Sequence, residues 1–202
     1  MAKFAKIFVT LSVVAFLRCH KPCHEPNYTF SVTDTIYPGN DSISIGDTLI
    51  LGCSFSKNLK STGIQGLVNF ANAANLGTNL IISDINAFTG SRGAVDSFTY
   101  FNVFGRIYSD PNLNPQNVKQ LSFYESDTTY QLKVGLIPSK KGMYILTIPD
   151  IPKVYRKGSV DCGVGYFAIL NVNINKHLYL FENKWGALSE YDSVHSYCFT
   201  VK

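Results

Sequence analysis

Charge is scarce in this 202-residue chain: Asp, Glu, Lys and Arg make up 16% of it, against 46% apolar residues. That balance excludes a disordered polyelectrolyte and leaves a globular chain long enough for one domain with a real core. Clustered basic residues are missing too. The formal net charge is +4, but Lys3, Lys6 and Arg18 lie in a stretch without acids, and the remainder carries 15 basic against 14 acidic residues. A near-neutral body lacks the electrostatic footprint of a nucleic-acid binder, so no nucleic acid is expected as a partner. Beyond residue 18 no apolar run reaches the ~18 residues of a transmembrane helix. A phosphate-binding glycine loop is absent as well, GVG at 163–165 standing alone before a strand-like segment. Nothing resembling a nucleophile elbow or oxyanion motif is present, so the sequence carries no enzyme signature.

Aromatic residues are plentiful: 12 Tyr and 14 Phe, with one Trp. They stand in segments of period two. In DTLILGCSF, Leu49, Leu51, Cys53 and Phe55 share one face; in TYQLKVGLI, Tyr130, Leu132, Val134 and Leu136 oppose Gln131, Lys133 and Gly135. GMYILTI (142–148), FAILNVNI (167–174), HLYLFE (177–182), TNLIIS (78–83), SFTYFNVFGRIY (97–108), QLSFYE (120–125) and the terminal YCFTV read as further strands, parted by turn chemistry such as Pro38-Gly39-Asn40-Asp41. One short helix is expected in WGALSEYDSVHSY (185–197), and GLVNFANAANL (66–76) fits either a helix or a strand and loop. Many short strands and few helices predict an all-β sandwich or barrel.

The N-terminus has export character. Lys3 and Lys6 precede the apolar IFVTLSVVAFL (7–17), which has the length of a signal core. Residues 1–18 are therefore expected to be an export signal, 19–27 a polar tether with Pro22 and Pro26, and 28–202 a single domain. Cys19 stands where a bacterial lipid anchor is attached, although Arg18 replaces the small residue usual before the cut. A cut after Ala15 gives an ordinary secreted form. The expected location is extracytoplasmic: membrane-anchored in the periplasm or on the cell surface, or else secreted. Haem attachment fails on spacing, because CHKPCH puts three residues between Cys19 and Cys23 where the motif has two. A zinc site from the same residues would sit on a tether beside a cleavage point. No cofactor and no metal are expected.

IGDTLILGCSF (45–55) resembles the B strand of an immunoglobulin-type sandwich, and PSKKGMYILTI (138–148) resembles the approach to its F strand. In that resemblance Gly142 makes the turn, Tyr144 is the tyrosine-corner residue and Leu146 replaces the second cysteine, so the inter-sheet disulfide to Cys53 is missing. The resemblance implies an immunoglobulin-like antiparallel β-sandwich. The whole layout (signal, cysteine, proline-bearing tether, β domain) is similar to that of uncharacterised bacterial exported lipoproteins, which implies membrane attachment through Cys19 but transfers no activity.

Of the other cysteines, Cys53 reads as a small core hydrophobe. Cys162 and Cys198 lie in late elements expected to be neighbours and are predicted to form a disulfide. Cys23 is left over for Cys53 or Cys19. Two functional classes remain. A binding or structural surface module would take a protein or glycan on exposed aromatics, with Tyr100 or Phe101, Tyr108, and Trp185 in YLFENKW as candidates. An extracytoplasmic hydrolase would use Asp192 and His195, three apart on the expected helix, near Ser189, or the acids Glu125 and Asp127. His177 reads as a surface residue.

Overall fold

A computed structural model describes residues 25–90, 93–111, 118–158 and 162–202. The expected signal and most of the tether, with Cys19 and Cys23, lie outside the described residues.

The architecture is an immunoglobulin-like β-sandwich. The larger sheet holds β1 (Tyr28–Tyr37), β3 (Leu49–Ser56), β6 (Ala73–Ala74), β8 (Phe98–Phe104), β11 (Tyr124–Glu125), β12 (Thr129–Pro138), β14 (Ile151–Arg156) and β15 (Gly165–Asn171). Its order is β11-β12-β3-β1-β15-β14-β6, with β8 also on β12. The smaller sheet runs β2-β16-β13-β7-β10-β9, formed by β2 (Ser42–Ile43), β7 (Gly77–Asp84), β9 (Arg106–Tyr108), β10 (Val118–Ser122), β13 (Gly142–Thr147) and β16 (Ser196–Val201). A side hairpin joins β4 (Asn58–Lys60) and β5 (Leu67–Asn69). Pairing is antiparallel except for β1 with β15 and β2 with β16.

Alternation decides which side chains enter the core. Along β1, Tyr28, Phe30, Val32 and Ile36 are buried while Thr29, Ser31, Thr33, Thr35 and Tyr37 face outward. β3 and β12 repeat the pattern with Leu49, Leu51 and Cys53, and with Tyr130, Leu132, Val134 and Leu136. Leu80, Ile82, Leu121, Tyr144, Leu146, Tyr197 and Phe199 of the smaller sheet belong to the same core cluster. Two aromatic groups fill much of it: Phe30, Phe70 and Phe167 meet at centroid separations of 5.0–5.5 Å, and Phe98, Tyr144 and Phe199 at 5.0–6.0 Å. Such ring pairs each add about 0.5–1.5 kcal/mol beyond the area they bury.

The B-like and F-like segments become β3 and β13, in opposite sheets. Buried Tyr144 donates its hydroxyl proton to the Lys140 carbonyl at 3.1 Å, the tie of a tyrosine corner. Leu146 and Cys53 both pack in the core, and Cys53 is a free thiol.

Three expectations are corrected. HLYLFE is not a strand: Tyr179–Trp185 is helix α1, followed by α2 (Glu190–His195). Leu178, Phe181 and Trp185 recur at helical spacing; Leu178 and Phe181 pack with Ile85, Ile145 and Cys198 on the outer face of the smaller sheet, and Gly186 at φ +87° ends the helix. His177 is buried, with Nε2 3.1 Å from the Gly39 carbonyl oxygen. The Cys162–Cys198 disulfide does not form, because Cys198 is a free thiol. The late strands separate: β15 enters the larger sheet and β16 the smaller, where Cys198 points away from the main core and under α1. Cys162 is held in a disulfide of its own. The segment 66–76 resolves to strand and loop, through β5 and β6.

Replacing Tyr144 with Phe removes the corner bond and leaves the ring packing in place. The expected loss is about 1 kcal/mol, read from urea unfolding midpoints at unchanged m-value.

Candidate functional site

The outer face of the larger sheet is open over β1, β3 and β12. A groove of about 830 Å³ lies there, lined among others by Thr33, Thr35, Tyr37, Ile50, Gly52, Ser54, Phe104, Gln131 and Lys133. Its formation follows from the pleat: residues that alternate with the core face outward, and in these strands most are small or polar, Ile50 and Tyr37 apart. Gly52 contributes no side chain and deepens the floor. A Cβ built there would meet only Thr35 Oγ1, at an ordinary 3.5 Å. Two rings stand at the groove, Tyr37 at 73% exposure and Phe104 at 47%. Phe101, 40% exposed, extends the surface over Gly135, where a side chain would collide with the ring. Lys133 is the sole charged residue of the lining. β3 is bonded to β12 over Leu49–Ser56 and to β1 over residues 50–53, while β1 bonds β15 over residues 28–34 and β3 over residues 34–37.

The sequence-predicted contact residues are dispersed. Tyr100 shares the inward parity of Phe98: it packs against the core, its hydroxyl donates to the Val95 carbonyl at 2.6 Å, and burial pushes its acidity down further still. Tyr108 is half-exposed on β9 of the smaller sheet, and Trp185 donates from Nε1 to the Ile85 carbonyl at 2.7 Å. No ring contact among the described residues joins the three. The groove rings Tyr37 and Phe104 went unmarked in the sequence. Phe101 and Phe104 are three apart and both exposed, which strict alternation forbids; the irregular register of β8 on β12 between Lys133 and Val134 permits it.

The hydrolytic groups also part. Ser189 caps α2: its Oγ accepts from the Asp192 amide at 3.0 Å and donates to the Asp192 carboxylate at 2.6 Å. His195 turns inward from the same helix, with Nε2 2.8 Å from Asp150 Oδ1 and Nδ1 against the Tyr191 carbonyl oxygen. With both ring nitrogens engaged, Asp192 and His195 form no dyad. Glu125 pairs with Lys57 at 2.9 Å and accepts the Asn72 amide at 2.8 Å, while Asp127 is an exposed turn residue. Burial pushes the Glu125 carboxyl upward, but those two donors outweigh it and hold it below the ordinary value. A smaller cleft of about 390 Å³ beside Glu125 is lined by Arg106, Tyr124 and Lys157 among others.

One buried acid lies on the inner face. Asp34 faces Cys53 and Asn171 in register, and Asn171 Nδ2 donates to it at 3.3 Å. Desolvation pushes its carboxyl up to about 6, against the opposing pull of Asn171, His195 and Lys176. Burial, aided by Asp34, pushes the Cys53 thiol to about 12, and burial does the same to Cys198. Both thiols are therefore unreactive.

No protein-family profile and no curated protein matches the chain. Among solved structures, the human F-spondin reeler domain is similar over 92% of this chain and 99% of its own, at 9% identity and a TM-score of 0.38. A type II cohesin dyad from the adaptor ScaA scaffoldin of Acetivibrio cellulolyticus matches 73% of this chain and 49% of its own, at 7% identity and TM-score 0.36. The seventh ScaB type I cohesin of Pseudobacteroides cellulosolvens matches 72% and 95%, at 10% identity and TM-score 0.32. Likeness this distant carries no activity across.

The Asp34 shift has a sign that can be measured. A carboxyl that binds its proton more tightly when folded favours the folded state below its unfolded value of 3.8, and that contribution is lost as pH rises through about 6. Relative to Asp34→Asn, the wild type should lose on the order of 2 kcal/mol between pH 4 and pH 7. Paired unfolding curves across that range check this; a constant difference would refute it.

Proposed function

We propose that this chain is an exported, lipid-anchored binding module that takes a glycan on the outer face of its larger sheet. The observation that carries the reading is the open groove over β1, β3 and β12. Its lining combines hydroxyl, amide and ammonium groups (Thr33, Thr35, Ser54, Gln131, Lys133) with the exposed rings of Tyr37 and Phe104. A sugar presents hydroxyls for the first set and apolar ring faces for the second. The near-neutral charge of the body favours a neutral ligand over a strongly anionic one.

Export and anchoring rest on the N-terminal sequence. The basic start, the apolar run and Cys19 support removal of residues 1–18 and acylation of Cys19, which places the module at a membrane in an extracytoplasmic compartment. Intact mass of the protein from its own host should show a chain starting at Cys19 with added acyl mass. Cys19→Ala should move the protein from the membrane to the soluble fraction; a wild type already soluble and unmodified would sink the anchor.

Binding is tested on a glycan array followed by calorimetry. Phe104→Ala and Tyr37→Ala should each weaken a captured glycan about tenfold, equal to about 1.4 kcal/mol, and Gly52→Ala, whose Cβ meets only Thr35 Oγ1 at an ordinary 3.5 Å, should weaken it by raising the groove floor. All three should melt within a few degrees of wild type, because the substituted positions face solvent. Failure to retain any glycan, or retention unaffected by all three changes, would reject this reading in favour of a protein ligand.

A further inference from the structure

The disulfide at Cys162 needs a partner, and two of the other four cysteines are excluded because Cys53 and Cys198 are free and buried. The candidates are Cys19 and Cys23. The fold brings the chain that enters β1 alongside Cys162. β1 and β15 run parallel from Tyr28 opposite Gly165, and the Tyr28 amide donates to the Val164 carbonyl at 2.8 Å, so the chain before β1 enters alongside the chain before β15. The residue just outside that ladder confirms the path. Glu25 forms an ion pair with Arg156 of β14, and its carboxylate lies against Gly163, whose φ of +61° and missing side chain make room for it. Glu25 and Cys162 line one cleft of about 440 Å³.

We infer that Cys23 and Cys162 form a disulfide that clamps the root of the tether to the β14–β15 end of the larger sheet. Cys23 is two residues from Glu25, so its Cα lies within about 7 Å of that residue, and a disulfide spans Cα atoms about 4.4–6.8 Å apart. Cys19 is six residues from Glu25, a separation that allows its Cα up to about 20 Å and so leaves it far less tied to this end of the sheet. Formation is an exchange with a protein or small-molecule disulfide of the extracytoplasmic compartment. The S–S bond of that oxidant breaks and the Cys23–Cys162 bond forms. The two electrons and two protons of the cysteine thiols leave on the oxidant's two thiols. The pairing goes beyond the binding reading and does not depend on it. It also leaves Cys19 outside that bond, together with the buried thiols of Cys53 and Cys198.

The test uses the full chain exported to an oxidising compartment. Non-reducing peptide mapping, with free thiols alkylated in denaturant, should yield a cross-linked species joining the Cys23 and Cys162 peptides and alkylated Cys53 and Cys198. Under native conditions Cys23→Ser should make Cys162 reactive to iodoacetamide, whereas Cys19→Ser should leave it protected. A Cys19–Cys162 peptide, or Cys162 protected in Cys23→Ser and released in Cys19→Ser, would overturn the assignment. Mapping of the wild type requires no variant to fold.

Discussion

The seven residue pairs between β1 and β15, from Tyr28 with Gly165 to Asp34 with Asn171, join the two halves of the larger sheet. On one side of this ladder lie β3, β12, β8 and β11; on the other lie β14 and β6. The partners are separated by more than a hundred residues, so the joint forms only after the chain has closed a long loop, and the intervening strands of the smaller sheet lie within that loop. The ladder also sets what each face contains. It turns Phe30 toward Phe167 and Phe70 in the core, and it leaves Thr33, Thr35 and Tyr37 outward over the groove. Core and candidate site are thus the two sides of the same strand.

Polar groups close the end of the sandwich near Asp34. Asp150 accepts both the Ile169 amide and the His195 ring, and Lys176 Nζ donates to the Ser193 carbonyl at 3.1 Å. Side chains that look catalytic in one dimension are spent on fastening α2 to the sheet. The buried His195 ring and the buried Ile169 amide find their partner in Asp150, so neither is left unsatisfied.

Much of the fold is legible in the sequence because the pleat enforces a period that residues obey singly. Leu49, Leu51 and Cys53, or Tyr130, Leu132 and Val134, declare their face without knowledge of their partners. Tyr144 could be placed for a similar reason, since its bond to Lys140 is local. β1 stands out less because Asp34 interrupts an otherwise apolar face. α1 is misread because six residues of alternating size fit a strand as well as a helix, and only its packing over Ile145 and Cys198 decides. The groove is least legible. Tyr37, Gly52, Phe104 and Lys133 come from four strands, and Phe104 faces outward through a register irregularity that no local pattern announces. Cysteine pairing depends on which sheet each late strand joins, information held in the topology alone.

β1 begins at Tyr28 and ends at Tyr37, so the preceding chain joins one end of the strand and the groove lines its other half. Tension between an N-terminal attachment and a load held at the groove would run along the strand axis. The hydrogen bonds of β1 to β15 and β3 lie across that axis, and they would be strained together as a row instead of peeled one after another. The strand that organises the sheet is therefore also oriented to bear a pull along its length.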